Sequence, residues 1–262
     1  MVNRIVYLEP HVAAVQAQLQ ALVPDGFEMV FATGREEDEH AALMRDADYA
    51  IVSSNKVTAR MIDGAERMTL IHRWGIGIDL IDVEACRRNG IGLAVTHGVN
   101  AAPVAEMAVA LTLDVLRQVS LADRAMREGR WLKNELRVTA SSLMRKTVGV
   151  VGMGNIGRAY VRLLRGFDCT VLYTKRNRLP EAEEKALGLT YATFGEILER
   201  ADVVSLHCPL TDETRGLVDA AVLRRMKPRA VLINVARGEI VVEEDLVAAL
   251  REGVIAGAGI DV

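Results

Sequence analysis

The stretch V-G-V-V-G-M-G-N-I-G-R-A, residues 148–159, places three glycines as Gly152-x-Gly154-x-x-Gly157. A bare G-x-G-x-x-G is a weak signal. This one directly follows a β-rich apolar run and opens a helical pattern, the context in which it holds a dinucleotide pyrophosphate. Each glycine answers a separate demand. Gly152 makes the tight turn, Gly154 lets the backbone approach the phosphates, and Gly157 lets helix and strand pack closely. The helix start, with Asn155 and Ile156, then offers backbone N–H groups and a favourable dipole to the anion. The alternative is a tight strand-helix turn that binds nothing.

The next strand bears on which dinucleotide. An Asp or Glu about 20 residues on holds the ribose 2′-OH of NAD. Here the strand ends V-L-Y-T-K-R-N-R, residues 171–178, with no acid. Thr174, Lys175 and Arg176 stand in its place. A hydroxyl and two cations suit a 2′-phosphate, because charge-assisted bonds to phosphate are strong. NADP is therefore the expected cofactor, with NAD as the alternative if the two cations are only a solvated strand end.

Other chemistries find less support. Cys86, Cys169 and Cys208 are far apart and odd in number, with no C-x-x-C spacing, so neither a zinc site nor a disulfide framework is expected. A reducing cytoplasm suits them. The net charge of −3 argues against a nucleic-acid footprint. M-V-N-R-I-V-Y-L-E-P reads as a first strand rather than a signal peptide, and no apolar run reaches membrane-spanning length.

The elements that must position these residues follow from periodicity. With 262 residues, half of them hydrophobic, two α/β domains are expected. Five strands are read at 6–8, 29–32, 49–52, 70–72 and 92–95, with helices at 12–22, 37–45 and 83–89. That alternation predicts a parallel sheet covered on both faces. The run 102–116, with Pro103 at its start, is apolar nearly all round and predicts a buried helix, linking two domains or buried in a dimer. An amphipathic helix at 120–128 follows. The alternation then restarts: strand 148–151, helix 156–166, strands 170–173 and 203–206, helix 220–226, strand 230–234, helix 243–252 and an apolar strand 254–261. The boundary is set at 99/100.

Several stretches together resemble the D-isomer-specific 2-hydroxyacid dehydrogenases. They are L-I-H-R-W-G-I-G-I-D-L-I-D (70–82), G-V-N-A-A-P-V-A-E (98–106), the glycine loop, H-C-P-L-T-D-E-T-R (207–215), I-N-V-A-R-G-E-I-V (233–241) and G-A-G-I-D-V (257–262). The likeness runs in order from Leu70 to Val262; residues 1–69 fit by pattern only. It implies a flavodoxin-like substrate domain over 1–99, a Rossmann dinucleotide-binding domain over 100–262, an active site in the cleft between them, and a homodimer built partly on the 102–116 helix. It implies hydride transfer between a nicotinamide cofactor and a small D-2-hydroxy acid or 2-keto acid.

Residue by residue, Arg237 of N-V-A-R-G matches the family's catalytic arginine. It would pair with the substrate carboxylate and polarise the carbonyl, whose oxygen gains charge as hydride arrives. Its alternative is a salt bridge at a strand end. Ile76 and Gly77 match the turn whose backbone N–H groups hold the carboxylate; the plainer reading is a simple turn, with Asp79 capping the next helix. Asn100 matches a substrate-side asparagine near the hinge. Cys208 and Pro209 match a cofactor-lining turn, with Thr214 close by and Cys208 inert. Val235 and Ala236 fall with the cofactor-binding residues, and Asp261 matches the acid that holds the nicotinamide carboxamide.

The family's general acid is a histidine paired with a glutamate, both placed after G-x-D-V and so beyond Val262. Of the histidines present, His72, His97 and His207 are expected to be structural, His97 being the best placed substitute. Two alternatives stand beside the dehydrogenase: a dinucleotide-binding dimer module like the C-terminal-binding corepressors, and formate or phosphite oxidation on the same scaffold.

Overall fold

A computed structural model describes residues 2–262, which divide into two compact units that part between Val99 and Asn100. In the first, β1 (Asn3–Tyr7), α1 (Ala13–Gln20), β2 (Phe27–Phe31), α2 (Glu37–Arg45), β3 (Tyr49–Val52), α3 (Ala59–Asp63), β4 (Leu70–Arg73), α4 (Val83–Arg88) and β5 (Gly92–Val95) alternate. The strands form one parallel sheet in the order β2-β1-β3-β4-β5, the flavodoxin-like winding.

Burial in this sheet is less even than the sequence suggests. One face carries the core: Val6, Ala50, Val52 and Ile71 are buried with Met44, Met61 and Ile62 from the helices. On the other, Ile5, Met29 and Ile51 are only half-buried. Helix α1 has no buried residue, and an apolar cavity of about 220 Å³ lies among Ile5, Leu19, Met29, Ile51 and Trp74. The cover is thinner on this face because α1 is a short Ala/Gln-rich helix with few large side chains to lay on the strands. The cap of α4 is likewise Asp82, whose carboxylate accepts from Ala85 N–H at 2.8 Å, and not Asp79.

The second unit opens with α5 (Ala101–Arg117), α6 (Val119–Arg127) and α7 (Lys133–Thr139). It continues through β6 (Thr147–Val151), α8 (Asn155–Leu164), β7 (Thr170–Thr174), α9 (Glu181–Leu187), β8 (Leu189–Tyr191), α10 (Phe194–Arg200) and β9 (Val203–Leu206). Then come α11 (Ala220–Arg225), β10 (Val231–Asn234), α12 (Glu243–Glu252) and β11 (Gly257–Ile260). The order β11-β10-β9-β6-β7-β8 is the doubly wound Rossmann arrangement, all strands parallel. Every residue of β9 and β10 is buried, between two apolar clusters, one on each face. These strands read as continuous V-V-S-L and V-L-I-N because both of their faces are covered.

Four readings change. Helix α5 is buried along one face, at Ala105, Ala108, Thr112 and Leu116, while Met107 is exposed. Residues 165–167 form a 3-10 turn after α8. The final apolar run is not one buried strand: 254–256 turn, and in β11 itself Ile260 is exposed. Its glycines have a steric reason. A Cβ on Gly257 would lie 2.7 Å from Val115 Cγ1, and one on Gly259 2.9 Å from Leu111 Cβ, so α5 crosses directly over β11. Helices α9 and α10 are additions to the expected elements, with Thr193 and Glu196 making a capping box and Gly188 (φ 69°) a stop signal.

Candidate active site

The strand order reverses between β6 and β9, and an open α/β sheet binds its ligand at that point, outside the carboxyl ends of the strands. The glycine loop lies there, and its three glycines meet different surroundings. Gly152 has φ 98°, and a Cβ on it would fall 2.6 Å from Cys208 N and 2.6 Å from the His207 carbonyl carbon. A Cβ on Gly157 would fall 2.4 Å from the Gly152 oxygen. A Cβ on Gly154 would meet nothing within 4 Å. Protein thus encloses the outer two glycines, while the middle one faces open space at the start of α8, where no side chain caps the helix. An open cradle at an uncapped helix N-terminus fits a pyrophosphate. Asn155, Ile156 and Gly157 form the first turn of α8. Arg158 braces the loop, donating to the Met153 carbonyl and to Glu183 of α9, both at 2.6 Å.

The floor of the loop is His207. Its Nε2 lies 2.8 Å from Ser205 Oγ, and its ring rests 5.0 Å from that of Tyr160. Tyr160 in turn meets Thr112 of α5 at 3.0 Å. Desolvation of the half-buried ring pushes the imidazole down to about 3, so His207 is neutral at physiological pH and serves as packing. Beside it, burial pushes the Cys208 thiol up to about 11, leaving it un-ionised and inert. Pro209 and Thr214 are joined, the Thr214 hydroxyl donating to the Pro209 carbonyl at 2.7 Å and accepting from Thr211 N–H at 2.8 Å. That closes the H-C-P-L-T turn.

Thr174 ends β7, with Lys175 half-buried and Arg176 exposed. Arg176 lies 3.6 Å from Glu213, both well exposed, a loose pair of little energetic weight. Arg178 has another task that the sequence did not disclose. It donates twice to the buried Glu184 of α9, each at 2.8 Å, while Tyr173 Oη donates to the same carboxylate at 2.5 Å. The Arg178 guanidinium and the Tyr173 hydroxyl hold the Glu184 carboxyl down at about 2. Lys175 and Arg176 take no part in that cluster.

At the carboxyl end of β10, N-V-A-R-G makes a turn around Asn234, whose part in it no local pattern discloses. Asn234 Oδ1 accepts from Ala236 N–H at 3.0 Å, and Nδ2 donates to the Arg237 carbonyl at 2.8 Å. Arg237 is half-buried, with Nη1 donating to the Ala236 carbonyl at 2.8 Å. Val235 is buried beneath. On the adjoining strand, Asp261 N–H donates to the Asn234 carbonyl at 3.0 Å, and the Asp261 side chain is exposed. The second unit therefore brings the glycine loop, Cys208–Pro209, Arg237 and Asp261 to one edge of one sheet. Asn100 stands at the N-terminus of α5, and its side chain makes no capping bond.

In the first unit, Ile76 and Gly77 lie in the turn after β4. Arg73 shapes it, donating through Nε to the Gly77 carbonyl at 2.8 Å and through Nη1 to the Val52 carbonyl at 3.3 Å. Trp74, Ile76 and Ile78 are exposed. His97 is exposed beyond β5, and His72 Nε2 lies 2.9 Å from Thr96 Oγ1. Among the described residues no group of three His, Cys, Asp or Glu could hold a metal, and no helix is long and apolar enough to cross a membrane.

Residues 109–262 match the family model of the D-isomer specific 2-hydroxyacid dehydrogenase, NAD binding domain. The chain is 39% identical over 225 residues to the glyoxylate reductase of Thermococcus litoralis, covering 84% of this chain and 68% of that protein. A formate dehydrogenase of Granulicella superposes with TM-score 0.91 at 29% identity, over 100% of this chain and 82% of the other. D-lactate dehydrogenase from Aquifex aeolicus, complexed with NAD and lactic acid, gives TM-score 0.86 at 27% identity, over 99% and 77%. With the fold, the glycine loop and the N-V-A-R-G turn in agreement, the chain belongs to the D-isomer specific 2-hydroxyacid dehydrogenases, oxidoreductases that work with a nicotinamide dinucleotide.

Proposed function

We propose that this chain transfers hydride between NADPH and a small 2-keto acid of the glyoxylate or hydroxypyruvate kind, with the D-2-hydroxy acid as partner of the reverse reaction. The observation that carries this is the placing of the Arg237 turn beside Asp261, on the sheet edge that also bears the glycine loop. The 39% identity to a glyoxylate reductase supports the choice of substrate class.

When bound, the nicotinamide ring supplies the hydride. The chain's own residues do the rest. Gly154, Asn155, Ile156 and Gly157 would hold the pyrophosphate through backbone N–H groups, while Gly152, whose N–H is given to the Thr174 carbonyl at 2.9 Å, would make the turn that admits it. Cys208, Pro209, Thr214, Val235 and Ala236 would line the cofactor, and Asp261 would accept from its carboxamide. Arg237 would attract the keto-acid carboxylate and stabilise charge growing on the carbonyl oxygen. Ile76 and Gly77 N–H groups, and Asn100, would orient the same anion. The proton for the new alkoxide does not come from His207, which is half-buried and neutral.

Thr174, Lys175 and Arg176, with no acid among them, favour the 2′-phosphate and hence NADP over NAD. A homodimer is proposed on the exposed apolar side chains of α5 and α6, Met107, Val119, Leu121 and Met126. Its check is sedimentation of the intact chain.

The test of function is loss of reduced-nicotinamide absorbance with a panel of 2-keto acids, with formate and the oxidised cofactor as the competing assay. Turnover of a 2-keto acid that vanishes in Arg237→Ala supports the reading. Turnover of formate alone, or equal turnover in Arg237→Ala, overturns it. Arg176→Ala is expected to weaken NADPH about tenfold and leave NADH unchanged, since one charge-assisted bond is worth about 1.4 kcal/mol.

A further inference from the structure

Asn234 is the last residue of β10 and only 1% exposed. Its acceptor oxygen, its donor nitrogen and its backbone carbonyl are all engaged at one place. Oδ1 takes Ala236 N–H, Nδ2 holds the Arg237 carbonyl, and the backbone oxygen takes Asp261 N–H. The Arg237 carbonyl also accepts Ile240 N–H at 3.3 Å, which starts a 3-10 turn at 238–240. The Arg237 backbone, extended at φ −146° and ψ 143°, is thereby gripped from both sides.

Residue chemistry limits what could do this. An amide offers an acceptor and a donor on one short stem; an ionised Asp offers only acceptors, and Ser or Ala cannot span both partners. The same residue therefore makes one bond to the substrate arginine and one to the acid that follows β11, with a third to Ala236 between them. A shift of about 1 Å in a positioning group is enough to disturb hydride-transfer geometry.

We propose that Asn234 is a positioning residue that fixes the Arg237 guanidinium relative to Asp261, so that the keto-acid anion and the nicotinamide are held at one spacing. This rests on the reading of Arg237 as the anchor of the substrate carboxylate. The role is separable from cofactor binding, because the bond to Asp261 is made by the Asn234 backbone and survives any change of side chain.

The experiment uses the intact chain, NADPH, and oxamate, a 2-keto-acid isostere whose carbonyl is an amide and takes no hydride. Calorimetry gives the affinity for NADPH, then for oxamate in the NADPH-saturated protein, with a thermal melt for each variant. Asn234→Ala is expected to weaken oxamate about tenfold or more and to change NADPH less than about twofold. Asn234→Asp keeps the acceptor for Ala236 N–H and loses only the donor to Arg237, so it should do the same and serves if Asn234→Ala does not fold. Unchanged oxamate affinity in the folded variants, or equal weakening of both ligands, overturns the proposal. Arg237→Ala separates the two readings. If it alone loses oxamate, Asn234 has no positioning role and Arg237 keeps its own. If it binds oxamate normally, the anchor reading fails as well.

Discussion

Each unit carries a glycine turn at the end of a parallel strand, and the two are held by opposite means. At Gly152–Gly157 the backbone is packed from beneath: the outer glycines have a carbonyl or a peptide nitrogen where a Cβ would be. At Gly75–Gly77 the turn hangs from a side chain. Gly75 has φ 151°, yet the atoms nearest a Cβ there are those of the Arg73 guanidinium, at an ordinary 3.5 Å. Arg73 itself holds the Gly77 carbonyl. A turn fixed by backbone contact tolerates no side chain and little movement. One fixed by an arginine keeps its shape only while that arginine is in place.

The largest effect should come from filling the packed turn. Gly157→Ala drives a methyl into the Gly152 carbonyl, and Gly152→Ala adds a left-handed φ to a clash with His207 and Cys208. Each is expected to cost about 3 kcal/mol or more and to abolish dinucleotide binding, read by denaturant unfolding and a fluorescence titration. Wild-type stability in either variant would show that the loop is not packed as described.

The floor of that turn makes the second unit acid-sensitive in a way the Arg73-held turn is not. The pKa of His207 is about 3 in the folded chain and 6.5 when exposed. Below about pH 6.5 the unfolded chain therefore binds a proton that the folded chain refuses. Stability from this group is complete above 6.5 and falls as the pH drops towards 3, by about 1.4 kcal/mol per unit. Glu184, held at about 2 against an ordinary 4.5, adds its own loss only below about 4.5. Between pH 6.5 and 4.5 the slope should therefore weaken in His207→Gln. An identical slope in that variant would remove His207 as its cause.

Arg73→Ala probes the other turn. It removes a charge-assisted bond to the Gly77 carbonyl and should cost about 1–2 kcal/mol. Dinucleotide affinity should stay unchanged, whereas that of keto-acid isosteres should fall. Loss of cofactor affinity instead would break the contrast between the turns.

How far each turn was legible follows the same division. The glycine loop is local: strand, turn and helix lie within residues 147–164, so spacing alone discloses the roles of Gly152 and Gly157. The alternation of strands and helices also carries both sheets, because period and burial are local properties. What the sequence withheld depends on partners distant in sequence or on side-chain direction. Nothing next to Arg178 in the sequence marks its bonds to Glu184, which Tyr173 shares. Asn234 belongs to the N-V-A-R-G motif, but its two side-chain bonds depend on how the chain turns after β10. The small residues of G-A-G-I read as strand composition, whereas the crossing of α5 is what requires them. Helices α9 and α10 were missed despite good caps, because their apolar faces are too short to show a period.

Gly154 tests the central claim most directly, since it is the one glycine of its loop whose missing side chain protein does not explain. It is extended at φ −82° and ψ −160°, a conformation open to valine, and nothing lies within 4 Å of its Cβ position. Titrating NADPH into the unaltered chain and into Gly154→Val, with a thermal melt of each, isolates the ligand's claim on that space. Saturable binding by the unaltered chain, weakened about a hundredfold in a variant that melts at the same temperature, is the predicted result. Equal affinity in the two proteins would contradict a dinucleotide site at this loop, and with it the hydride-transfer account.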